Sequence, residues 1–373
     1  MKPKHEKISL WQLFTLIVTF EAGSAIVVNT GGEAKQDAWL AVLIAMVIGM
    51  AITWVYYRTL GKESPGDLFL MLEGTVGRWV TRGLIVIYTL YFFYSSSRVL
   101  RDFGELITTA ILLETPLEII VLTMLIVVLY ILYLGVEVLA RTAEIFAPYM
   151  LIFLILITIL ILISGELQVR RNIEPVLGEG LMVLLRGVFP GLMTFPFGEM
   201  VVFMMIMPKV SRFKLAGKVS VFAVGVAGFL LSSSSLLQLA ALGVDAKSRS
   251  TFPLLSAARL VSIANFIERI DALVVFIVML GIIIKVSVLL FAGLQGLQHL
   301  FQIPYRSFLF PVGMIVSVNS ILISINFAEH IEEGLRFVPF FLHLPLQYVI
   351  PTGLFLMVLW GERKKRQSSE GGR

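Results

Sequence analysis

Long apolar runs alternate with short polar connections along the whole chain. Runs long enough to cross ~30 Å of hydrocarbon fall at 10–29, 38–57, 83–112, 117–135, 143–163, 181–207, 216–242, 272–297, 307–327 and 338–360. This pattern predicts an all-α integral membrane protein of about ten transmembrane helices. The runs at 83–112 and 181–207 exceed a perpendicular crossing, so they are expected to tilt or to begin in the interface. Residues 1–360 form the transmembrane domain on this reading, and 361–373 are expected as a disordered, polar, cytoplasmic tail.

Composition supports the pattern. Of 373 residues, 58% are hydrophobic and 15% charged, against about 25% charged in soluble domains. Too little polar surface is available to cover a water-exposed fold, so the partner is a lipid bilayer. Cysteine is absent, which excludes disulfides and thiolate chemistry. The four histidines, His5, His299, His330 and His343, have no metal-ligand spacing. No nucleophile motif or phosphate loop occurs, so neither an enzyme, a cofactor nor a metal is expected. Placing the N-terminus inside puts about twice as many Lys and Arg on cytoplasmic segments as on the opposite side. That bias predicts two cytoplasmic termini, and it explains the net charge of +5 without nucleic acid. The charged start through Lys7 runs into an apolar stretch without a small-residue cleavage site, and reads as a retained first span.

Charges inside a span cost at least ~2.5–3.5 kcal/mol each unless they face protein, water or a partner. The exceptions are therefore informative. Span one carries Glu21 followed by Ala22, Gly23, Ser24 and Ala25. These residues read either as a close helix contact or as a break whose freed backbone holds a ligand. Span six carries Pro190, Gly191, Pro196, Gly198 and Glu199. Proline removes a backbone donor and clashes with the preceding turn, so a discontinuous helix is expected. Interrupted spans five apart point to two inverted repeats of five, about 8–163 and 181–360.

Lys285, central in span eight, needs an acid, with Glu21 and Glu199 as candidates. It reads either as a packing ion pair or as a charge-coupling cation that stands in for a metal ion or exchanges a proton. In span three, Arg98 and Asp102 have the spacing of an internal pair, whereas Tyr94 and Arg98 can instead line a pocket. Tyr88, Tyr91 and Tyr94 also fit an interfacial aromatic cluster. Ser232 to Ser235 read as close-packing residues, with Gln238 one turn on. The stretch 243–270 reads as an interfacial helix, with Arg259 and Asn265 opposite Leu254, Leu255, Ala258, Leu260 and Val261, or as an external gate.

Taken together, Ile8-Ser9-Leu10-Trp11-Gln12-Leu13, the glycine in span one, the polar third span, Phe195-Pro196-Phe197-Gly198-Glu199 and Lys285 with Ser287 carry a family resemblance. The chain resembles the GerAB-type spore germination permeases, the B subunits of endospore germinant receptors, within the amino acid–polyamine–organocation superfamily. The resemblance implies a LeuT-like fold with broken spans one and six. It implies a small germinant, commonly an amino acid, bound mid-membrane, and partner A and C subunits in the spore inner membrane. Carried onto this chain, it assigns the ligand to Gly23, Ser24, Ala25, Tyr94, Arg98, Phe195, Pro196, Gly198, Glu199 and Ser287. Lys285 and Glu21 serve as the charge-coupling or structural groups. The leading expectation is a nutrient germinant receptor subunit. A proton-coupled amino acid permease and a purely structural scaffold are the alternatives.

Overall fold

The structure is a computed structural model that describes residues 6–61, 65–165, 167–261 and 270–370, with side chains through residue 361. Fourteen α-helices carry most of it: α1 Leu10–Ala25, α2 Ala38–Thr59, α3 Leu68–Val76, α4 Arg78–Ala110, α5 Leu117–Leu134, α6 Val136–Ile163, α7 Val169–Ile173, α8 Leu181–Gly187, α9 Phe213–Arg249, α10 Pro253–Arg259, α11 Asp271–Phe301, α12 Leu309–Leu322, α13 Phe327–Arg336 and α14 Ile350–Glu370. Among the described residues, nine helical segments are long and apolar enough to cross a membrane. Span one is the additional, shorter one, a helix of 16 residues. The protein is a multi-pass membrane protein.

Helix boundaries follow local chemistry. Ser9 accepts from the Gln12 backbone amide and Gln12 Oε1 accepts from that of Ser9, so a capping box starts α1. α6 starts at Val136, ahead of the apolar run, because its polar first turns have protein partners. Glu137 accepts from the Lys7 amide at 3.0 Å, and Glu144 accepts from Gln12 at 3.2 Å. α9 outlasts its apolar run by bending at Gly243, whose φ of +75° suits a residue without Cβ. α14 runs helically through Glu370, into the segment expected as a polar tail.

α11 is the central post, packed by α4, α1, α6 and α5. Its middle, from Gly281 to Leu294, is buried throughout. A short extended contact ties the chain's start to the end of span six. Ile8 donates to the Lys209 carbonyl at 3.0 Å and accepts from Ser211 at 2.9 Å. Glu6 accepts from the Val136 amide at 3.1 Å and from Arg306 at 2.8 Å, which brings spans five and nine to the same point.

Two loop expectations change. α10 buries Leu254, Leu255, Ala257 and Ala258 against α9, α11 and α6. Its apolar face therefore meets the bundle and not lipid, which overturns the interfacial reading. Arg259 pairs with Asp271 at 3.4 Å, while Asn265 lies outside the described residues. The tyrosines of span three are not an interfacial belt either. Tyr88 donates to the Leu346 carbonyl at 2.7 Å, and Tyr91 meets His343 Nδ1 at 2.9 Å and accepts from Gln347 at 2.8 Å. They hold the π-helical turns Pro339–Val349 that begin span ten, where proline and a widened turn leave carbonyls free.

Candidate functional site

Spans one and six meet beside α11 by different means. α1 remains helical through Ala25, and the irregular stretch comes after it, at 26–31. A Cβ on Gly23 would lie 3.0 Å from the Gly281 backbone, and one on Gly281 would overlap Gly23 Cα. The two helices therefore touch backbone to backbone, the close-packing option for Gly23. The end of the helix is secured by Gln238, which donates to the Ile26 carbonyl at 3.1 Å and to Ser234 Oγ at 3.0 Å. Ser232 donates to the Trp39 carbonyl at 2.8 Å, so the serine run does more than pack closely.

Span six is broken as its prolines predict. α8 ends at Gly187, Phe189 leaves helical geometry, and a 3-10 helix runs over Phe197–Met205. That 3-10 helix carries Glu199, whose carboxylate contacts the Lys285 ammonium. Both side chains are buried. Two rings complete the cage around the ammonium: Phe195 at 4.4 Å and Phe20 at 5.0 Å. An ammonium this deep is tolerable only with such partners, because removing it from water costs several kcal/mol. Glu21 is fully buried and within electrostatic reach of both Lys285 and Glu199. Neither of its carboxylate oxygens has a hydrogen-bond partner among the described residues.

A cavity of about 90 Å³ opens where the two irregular stretches approach α4. Its wall comprises Val28, Thr30 and Gly31 after α1; Ser95, Arg98, Val99 and Asp102 on α4; and Gly191, Leu192, Phe195 and Glu199 of span six. α13 and the start of span ten complete it with Ile331, Gly334, Leu335, Pro339 and His343. Both signs of charge therefore face a mostly apolar space, the usual form of a small-molecule site.

α13 is fastened over this cavity by charge. Arg98 donates to Glu333 at 3.3 Å and to Tyr94 Oη at 3.2 Å, and contacts the His330 carbonyl. Asp102 meets His330 Nε2 at 3.0 Å. The expected Arg98–Asp102 pair is thus replaced by two links to α13. The internal pair of span three is instead Arg101–Glu105, at 2.8 Å. The sequence did carry a signal for α13: Asn326 caps it, accepting from the Glu329 amide at 2.9 Å.

The spore germination protein family model matches residues 7–328. The chain belongs to that family. It is 36% identical to spore germination protein KB of Bacillus subtilis (strain 168), over 98% of each chain. Spore germination protein YndE of the same strain is 26% identical over 79% of this chain and 82% of its own. Among solved structures, MhsT in complex with L-phenylalanine superposes with a TM-score of 0.70 at 14% identity, covering 95% of this chain and 99% of MhsT. That likeness establishes the LeuT-like fold, with its two inverted sets of five spans.

In this spore germination family member, the residues expected at the ligand fall into two groups. Arg98, Phe195 and Glu199 line the cavity. Tyr94 supports Arg98 from behind. Gly23 and Gly198 are occupied by packing; a Cβ on Gly198 would strike the Gln347 amide. Ser24, Ala25, Pro196 and Ser287 are buried away from the cavity wall. Lys285 touches Phe195 and Glu199 without entering the wall, and Glu21 is buried outside it. Wall residues that the sequence did not assign to the ligand are Thr30, Gly31, Asp102, Gly191 and His343, together with those of α13.

Proposed function

We propose that this chain is the ligand-binding B-type subunit of a nutrient germinant receptor, acting in the spore inner membrane with both termini in the cytoplasm. One observation carries the reading: a small cavity between the irregular stretch after α1 and the broken span six presents Arg98 on one side and Glu199 on another. An amphoteric ligand of amino-acid class satisfies both, with carboxylate to Arg98 and ammonium to Glu199. The space admits several water-sized groups, which sets the ligand small. MhsT, of the same fold, is described in complex with an amino acid, L-phenylalanine.

Ligand binding favours one of two arrangements of the bundle, and the shift passes to partner A and C subunits. Such a shift needs differential contacts, and α13 supplies them. Arg98 serves both the cavity and Glu333, so a ligand carboxylate changes how firmly α13 is held.

The test is germination of spores carrying Arg98→Gln at normal protein levels. A lost hydrogen bond to a charged group is worth about 1.5–3 kcal/mol, so the nutrient requirement should rise roughly 10- to 100-fold. Unchanged nutrient sensitivity would sink the cavity assignment.

A further inference from the structure

The charges behind the cavity are uneven in number. Lys285 has one acid in contact, Glu199, and feels the field of a second buried acid, Glu21, whose oxygens are both unpartnered among the described residues. Glu199 alone of the two acids also faces the cavity. A ligand ammonium that approaches Glu199 therefore competes with Lys285 for it.

We propose that Glu21 is a second seat for the Lys285 ammonium, taken when a ligand's ammonium claims Glu199. The inference rests on the ligand reading above and adds the regulation of that site. The geometry suits the exchange. The lysine stem is flexible, so the ammonium can swing while α11 stays in place. The Phe20 ring, one residue before Glu21, already lies 5.0 Å from Nζ and offers its face along the way. With Glu21 as a carboxylate, each charge has a partner after the exchange: ligand ammonium with Glu199, Lys285 with Glu21, and ligand carboxylate with Arg98. Before it, α11 is bound by charge to span six; after it, to span one. A discrete transfer of an ion pair from one repeat to the other is the kind of two-state element that can bias a helix bundle.

A double-mutant cycle on the purified full chain in detergent tests the second seat without any ligand. Glu199→Gln imitates an acid already claimed, and Glu21→Gln removes the seat. Each single variant should stay folded, because one acid remains for Lys285. The double variant should unfold ~2–4 °C below the sum of the two single shifts. That excess should vanish in a Lys285→Met background, a dependence that a merely space-filling role for Glu21 does not produce. A structure of Glu199→Gln should show Nζ against Glu21. Additive shifts, an excess that survives without Lys285, or a Glu199→Gln chain that fails to fold would each overturn the proposal. Because no ligand is used, this outcome is separate from that of the Arg98→Gln spores.

Discussion

Spans one and six look alike as strings, an acid beside small residues in an apolar run, yet α11 holds them by opposite means. Span one is held by shape: Gly23 lies on Gly281 with no room for a methyl group. Span six is held by charge: Glu199 reaches Lys285 one turn further along α11. Proline makes the difference. Span one has none and stays helical to Ala25. Span six has two, and its backbone opens toward the cavity. Glycine beside an acid is thus a poor marker of a broken helix, and proline with glycine a good one.

Substitutions can break this comparison at either end. The largest effect is expected from Lys285→Met, which strands a buried carboxylate and should cost about 3–5 kcal/mol; a lowered unfolding midpoint of the purified chain would register it. If Lys285→Met were neutral, span six would not be held by charge. Gly281→Ala comes next. Its methyl would overlap Gly23 Cα in a backbone that cannot yield, for roughly 1–3 kcal/mol of overpacking, visible in the same measurement. The smallest effect belongs to Gly191→Ala in the open span six. A Cβ there meets nothing within 4 Å, so stability should stay within about 0.5 kcal/mol. The added methyl narrows the cavity wall, so spores carrying it should shift their nutrient preference toward smaller amino acids. Equal destabilisation by Gly191→Ala and Gly281→Ala would erase the distinction between the two spans.

The spans were legible because the rule behind them is local: apolar length and the positions of proline are set by the chain itself. The Lys285–Glu199 contact was legible as one of two choices, since so deep an ammonium must find an acid. The cavity wall was not. Arg98 and Asp102 have the spacing of a helical pair, and only tertiary packing sends them to Glu333 and His330 on α13. Thr30 and Gly31 enter the wall because Gln238 secures Ile26, from a helix two hundred positions further along in sequence. A glycine in a string does not declare which role it has, and Gly23 took the packing role.

The contact at Ile8 sets an order of assembly. Its backbone pairs with Lys209 and Ser211, and its neighbour Glu6 waits for Arg306. During synthesis the first span therefore cannot complete its anchorage until the ribosome has made the sixth, and the closure around Glu6 needs the ninth. The fastening of this segment is thus finished late, and a chain truncated in its second half keeps only the links of Glu6 and Lys7 to the start of α6.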